Sequence, residues 1–216
     1  MTFVEMGINA IDTDALSRSP FEIKIVKVHS PTLMWVHLKN SQEPFQSLME
    51  GLNHRLSTRR FSHVNPKVND IVAVETKRGW QRAIVARLNV DGTVQLYLRD
   101  WGINVKRPAV DLYCLEERFQ QHHWEAIPCG LAYIQPAVTG SNWSHRAIKI
   151  TQSIAEQQTG SMQIIKPLYN QTAFIKLDIK NETSNTFQNL RDILIQLGVA
   201  ERSATITSHT GPTINY

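Results

Sequence analysis

The Asp91-Gly92 pair sits between two alternating apolar runs and constrains the fold more than any other feature of the chain. Both residues tolerate positive φ, which is what a tight turn between antiparallel strands requires. The surrounding stretch, residues 67–113, reads KVNDIVAVETKRGWQRAIVARLNVDGTVQLYLRDWGINVKRPAVDLY. Ile71 to Thr76 is the first run rich in β-formers. Lys77-Arg78-Gly79 turns it into a second, Trp80 to Leu88, and Asp91-Gly92 turns that into a third, Thr93 to Arg99. A fourth short run, Ile103 to Lys106, is ended by Pro108. Four or five antiparallel strands this short make a small curled barrel, which closes to hide its edges.

Beyond this stretch the pattern is mixed. The 216 residues suffice for one large domain or two intimate small ones, and 42% hydrophobic with 19% charged residues fits a soluble globular protein. The net charge is +4, with basic residues at Arg55, Arg59, Arg60 and Lys67, and then Lys77, Arg78, Arg82, Arg87, Arg99, Lys106 and Arg107. That clustering invites nucleic acid as a partner, although scattered Lys and Arg on strands more commonly make a solvated face. Two cysteines, Cys114 and Cys129, make no disulfide framework. No apolar run is long enough to span a bilayer, and MTFVEMGINAIDTD at the N-terminus lacks the shape of a signal peptide. A reducing intracellular compartment and no membrane partner are the resulting expectations.

Residues 1–20 are weakly patterned. Phe21 to Val28 and Leu33 to Leu38 form a predicted hairpin about Ser30-Pro31. Phe45, Leu48, Met49, Leu52 and Leu56 recur at helical spacing behind Pro44, and the stripe reads as core packing. Residues 62–65 read as the linker into the barrel. Asp111 to Phe119 has a helical flavour, with Cys114 and Leu115 expected to point inward. A return strand spans Ile127 to Pro136, and a helix opens at Trp143-Ser144 and ends near Gly160. Met162 to Leu168 and Thr172 to Ile179 are two further predicted strands. Phe187, Leu190, Ile193, Leu194 and Leu197 form a last amphipathic helix, with Gly198 at its C′ position. The tail from 202 to 216 is polar, turn-rich and expected to be loose.

Trp80-Gln81-Arg82-Ala83, followed by Tyr97-Leu98-Arg99-Asp100-Trp101-Gly102, resembles the Tudor domain core. That core usually reads Gly-x-Trp-Tyr-Arg-Ala and then a strand ending in Asp-Tyr-Gly-Asn. Ile25, Val28, Ser30, Pro31, Trp35 and Val36 resemble the strands that precede it in extended Tudor domains, and Pro128, Leu131, Ile134 and Pro136 resemble the family's return strand. The implied fold class is mainly β with α: a Tudor β-barrel inserted in a staphylococcal-nuclease-like OB-fold lobe. Its expected parts are an N-terminal segment 1–20, the first part of the nuclease-like lobe with the linker helix 21–65, the barrel core 66–113, the linking helix and remainder of the lobe 114–201, and the tail 202–216.

Family members that read dimethylarginine use a cage of four aromatics and one Asn, whose π faces suit a guanidinium that has lost hydrogen-bonding capacity. Carried over one at a time, these positions fall on Glu75, Gln81, Leu98 and Trp101, and the Asn falls on Ile103. Only Trp101 is aromatic. One reading is that the surface has lost its ligand. The other is a changed ligand, with Trp101 stacking on an unmethylated Arg, Glu75 pairing with it, and Gln81, Leu98 and Ile103 lining the pocket. Glu75 reads equally as a solvated strand end. Arg82 and Asp100 read as a structural pair within the barrel.

The resemblance implies a non-catalytic, cofactor-free, protein-interaction adaptor. It would act in piRNA silencing, in cytoplasmic perinuclear germline granules (nuage), holding the Arg-containing N-terminal tail of a PIWI-clade Argonaute between barrel and lobe. Methylation of that Arg is expected to leave affinity unchanged or to lower it. RNA binding through the basic residues, with Trp35, Tyr133 and Tyr169 as stacking platforms, is the first alternative. A purely structural or oligomerisation scaffold is the second. Asp178, Glu182 and Asp192 make no carboxylate pair at metal-ligand spacing, so nuclease chemistry is not expected. Cys114, His122, His123 and Cys129 match no zinc spacing. No Gly-rich phosphate loop or nucleophile elbow is present.

Overall fold

The computed structural model describes residues 20–58, 64–138, 142–167, 173–181 and 186–206. In chain order the first elements are β1 (Phe21–Ser30), β2 (Leu33–Leu38), α1 (Gln42–Thr58), β3 (Ile71–Thr76), β4 (Gly79–Leu88), β5 (Thr93–Leu98), β6 (Ile103–Pro108) and β7 (Leu112–Cys114). After α2 (Glu117–Gln120) come β8 (Ile127–Leu131), β9 (Ile134–Pro136), α3 (His145–Ala155), β10 (Thr159–Pro167), β11 (Ala173–Asn181), β12 (Thr186–Asn189), α4 (Leu190–Gln196) and β13 (Ala200–Arg202). The chain divides into two compact units. Among the described residues, one comprises 41–125 and the other 20–40 with 126–206.

In the first unit the strands form a five-stranded barrel sheet, ordered β6-β5-β4-β3-β7. Period-2 alternation gives it two faces. Val72, Val74, Ala83, Val85, Val94, Leu96, Leu98 and Leu112 fill the interior. Ala73 faces outward with Ile71 and Trp80, where α1 lays Leu48, Leu52 and Leu56 against them. The α1 residue Asn53 fastens the β3–β4 turn: its Oδ1 accepts the Trp80 N–H at 2.7 Å while its Nδ2 donates to the Met49 carbonyl at 2.7 Å. Gly79 at that turn has φ 83°, and a Cβ there would lie 2.3 Å from Asn53 Oδ1. The β4–β5 turn holds Gly92 at φ 75°, and the Thr93 N–H donates to Asp91 Oδ1 at 3.1 Å.

The second unit is a six-stranded sheet, β10-β1-β2-β8-β11-β12, in which β10 also pairs with β11. That extra pairing closes five strands into a barrel, with β8 and β11 parallel and the other pairs antiparallel. The first two strands and the later β10–β11 hairpin thus share one sheet, with the first barrel inserted between β2 and β8. Helices α3 and α4 pack Ala147, Ala155, Leu190 and Leu194 into its core.

The structure corrects several local expectations. Residues 112–114 are a strand, and it turns Cys114 outward while Leu115 is buried. The return strand is broken at Tyr133, which has φ 58° and separates β8 from β9. The helix begun at Ser144 ends at Ala155, and Gly160 lies inside β10. Phe187 belongs to β12, because Asn189 caps α4 by accepting the Asp192 N–H and so starts that helix at Leu190. Arg202 lies in β13, paired to Ile134, so the chain does not loosen there. The predicted linker is described only from Val64. Arg59, Arg60, Tyr169, Glu182, the N-terminal segment through Ser19 and the tail beyond 206 lie outside the described residues.

Candidate functional site

The barrel unit is built around a buried cation. Arg82 points outward from β4 and is 1% exposed. It donates from Nε to Asp100 Oδ2 at 2.9 Å and from one terminal nitrogen to Asp100 Oδ1 at 2.7 Å. The remaining N–H groups reach the carbonyls of Phe119 (2.8 Å), His122 (3.0 Å) and His123 (2.9 Å). Its guanidinium lies 4.5 Å from the centre of the buried Trp124 ring. Asp100 Oδ1 also accepts the Glu125 N–H at 2.9 Å. One ion pair therefore joins β4, the β5–β6 turn and the segment after α2. His122 and His123 serve it through backbone carbonyls while their side chains are exposed.

Asp100 leads directly into Trp101, whose N–H donates to the Leu98 carbonyl at 3.0 Å, and Gly102 completes the turn at φ 63°. The half-buried Trp101 ring is held on three sides. Its indole N–H donates to Gln81 Oε1 at 2.7 Å. The Phe45 ring of α1 meets it edge-on, with centroids 5.7 Å apart at 62°. The Arg78 guanidinium lies over it, 4.5 Å from the ring centre. Gln81 is 3% exposed and donates from Nε2 to the Arg78 carbonyl at 3.2 Å, linking both partners of the stack.

Four of the five expected site residues share this end of the barrel. Leu98 pairs in register with Ile103. Leu98 belongs to the barrel core, and Trp101 and Ile103 pack against it. Gln81 pairs with Val74, which is fully buried. Glu75 is placed differently. It is exposed on the opposite face of β3, in register with Trp80. There it lines an open cavity of about 500 Å³ with Thr76, Lys77, Trp80, Arg107, Asp111 and Tyr113. The β3–β4 turn has only two residues, so the inward residue opposite Gln81 is Val74, and alternation sends Glu75 outward.

Arg78 and Phe45 were not among the expected site residues. Both contacts are nonlocal: Phe45 arrives on α1, and Arg78 sits in a turn that reads as solvent-exposed. Among the described residues, several of the basic side chains are buried or paired. Arg82 and Arg99 are buried, Arg55 pairs with Glu116, and Lys106 pairs with Asp91. Trp35 is 1% exposed and Tyr133 is 37% exposed, so of these two only the tyrosine reaches solvent.

Of the two cysteines, Cys114 is exposed and Cys129 is buried, and neither forms a disulfide. Asp178 accepts from Asn189 Nδ2 and pairs with Lys176, and Asp192 pairs with Arg191 and Arg202. Among the described residues no group of three His, Cys, Asp or Glu side chains gathers where a metal could be held. Burial pushes the Cys129 thiol up to about 12, so it stays protonated.

Glu125 beside the Arg82–Asp100 pair is 7% exposed. Burial, reinforced by the Asp100 carboxylate and opposed by a hydrogen bond from Ser41 Oγ and by Arg82, pushes its carboxyl up to about 7.

A Tudor domain family model matches residues 17–133. Human Tudor domain-containing protein 6 is 25% identical over 202 residues, covering 91% of this chain and 9% of the relative, so the chain spans about a tenth of that protein. The third extended Tudor domain of mouse TDRD1, in complex with a MILI peptide containing dimethylarginine, superposes with a TM-score of 0.76 at 16% identity, covering 85% of this chain and 93% of that one. A variant of the Drosophila melanogaster Papi extended Tudor domain, in complex with an unmethylated Piwi N-terminal peptide, superposes with a TM-score of 0.71 at 20% identity, covering 86% of this chain and all (100%) of that one. These likenesses establish the extended Tudor fold.

Two tests follow from the buried pair. Asp100→Ala leaves the Arg82 charge buried without its counterion and should cost about 3–5 kcal/mol, read as a fall in the urea midpoint at unchanged slope. Glu125 binds its proton more tightly folded than unfolded, so its contribution to stability falls as pH rises from about 4.5 to about 7. Glu125→Gln should remove that slope and raise stability at pH 8 by about 1–3 kcal/mol, measured by denaturation across pH.

Proposed function

The chain belongs to the Tudor domain family, and we propose that it is a non-catalytic interaction module that binds an Arg-containing peptide without selecting for methylation. The barrel end around Trp101 receives the Arg. The partner is the N-terminal tail of a PIWI-clade Argonaute, and the setting is piRNA silencing in cytoplasmic germline granules. The solved relatives support a peptide partner: TDRD1 is in complex with a MILI peptide containing dimethylarginine, and Papi with an unmethylated Piwi peptide.

The observation that carries the reading is the filling of the barrel end. Selectivity for a methylated guanidinium needs several aromatic faces about one desolvated cation. Here Val74, Gln81 and Leu98 are buried against the barrel, Ile103 is aliphatic, and Trp101 is the single ring among the cage positions. One ring stacks on a guanidinium whether or not it is methylated. Methyl groups remove hydrogen-bond donors from the ligand, and no second cage position offers them a ring. Glu75 faces the other side of β3, and the site is assigned without it.

Calorimetry with Arg-containing PIWI N-terminal peptides, unmodified and symmetrically dimethylated, tests this. The expected affinities are equal within about threefold or favour the unmodified peptide, and Trp101→Ala should weaken both by about three- to thirtyfold. A tenfold gain on methylation overturns the reading, as does unaltered binding by Trp101→Ala. Affinity for RNA that falls steeply with salt, with no peptide binding, would favour a nucleic-acid role instead.

A further inference from the structure

One face of the Trp101 ring is already covered from within the chain. We infer that Arg78 is an internal occupant of this site, a built-in guanidinium that an incoming cation must displace, and so a residue that sets the site's affinity. The inference rests on the peptide reading above and adds a residue that none of the cage positions includes.

Three observations converge on Arg78. Its guanidinium lies 4.5 Å from the Trp101 ring centre, the distance of a direct cation–π stack. It pairs with no carboxylate among the described residues, so the ring is the partner the structure gives its side chain. The backbone under it is fixed. The Arg78 N–H donates to Thr76 Oγ1 at 3.0 Å, its carbonyl accepts from Gln81 Nε2 at 3.2 Å, and Gln81 in turn holds the Trp101 indole N–H. Gln81 thereby ties the turn that carries the cation to the ring the cation covers. Phe45 packs against the same ring at 62°, and the face under Arg78 is the one we assign to an incoming guanidinium.

The physical consequence is competition. A stack at a solvent-exposed site is weak enough to open, yet a ligand must replace it before gaining any interaction of its own. The Arg78 side chain makes none of the hydrogen bonds that build the turn, since those use its main-chain atoms and Gln81. Truncating it therefore removes the occupant and leaves the turn.

The test compares wild type with Arg78→Ala. In wild type, the Arg78 side-chain N–H proton should be displaced upfield by the Trp101 ring current and return to its random-coil position in Trp101→Ala. In calorimetry with the unmodified PIWI-tail peptide, Arg78→Ala should bind about two- to fivefold more tightly than wild type, and Arg78→Gln should behave like Ala. Equal or weaker binding by Arg78→Ala overturns the inference while leaving the peptide reading intact. So does an Arg78 proton at its random-coil position. Failure of both proteins to bind overturns the peptide reading and the competitive role with it.

Discussion

A fully buried guanidinium has one tolerable arrangement, in which every N–H is satisfied and its charge is matched, and Arg82 imposes that arrangement on its surroundings. Its five donors reach a carboxylate and three main-chain carbonyls, and its flat face lies on Trp124. The carboxylate is placed at the β5–β6 turn, and the carbonyls are presented by the segment from Phe119 to His123. Losing the pair would release strand, turn and connecting segment together. Because Trp101 follows Asp100 directly, the ion pair also fixes where the half-buried aromatic of the barrel end stands.

What that end can do is then decided by its packing. The strands bring Gln81, Leu98 and Ile103 to the barrel end where Trp101 stands, with Val74 opposite Gln81. Val74, Gln81 and Leu98 are buried, and in the function proposed above they fill the place a cage would leave open. Gln81 is the exception in chemistry: a buried amide whose two ends hold the Trp101 indole and the Arg78 carbonyl. This one amide thus orients the Trp101 ring.

Much of this architecture is legible in the sequence for identifiable reasons. Asp91-Gly92 marks its hairpin, but only Gly92 takes the positive φ, at 75°, while Asp91 serves the turn by accepting the Thr93 N–H. Arg82 and Asp100 are legible through the motif that carries them. Glu75 shows where such reading stops. Counting positions onto a family pattern cannot see that a two-residue turn puts Val74 opposite Gln81, and a one-residue difference in register changes the face. Arg78 is invisible for a different reason, since Lys77-Arg78-Gly79 looks like a solvated turn until Trp101 arrives from 23 residues further along. Phe187 continues a helical spacing that Asn189 interrupts by capping, and Cys114 falls on the outward phase of a strand too short to show alternation.

The central claim is that the filled barrel end, rather than the rest of the fold, removes selectivity for methylated arginine. Rebuilding the cage tests it most directly: Gln81→Tyr, Leu98→Phe and Ile103→Asn together, with binding of unmodified and symmetrically dimethylated Arg peptides compared by calorimetry. The account predicts that the rebuilt protein prefers the dimethylated peptide by about tenfold while the natural sequence shows no such preference. A correctly folded rebuilt protein that still fails to distinguish the two peptides would contradict it.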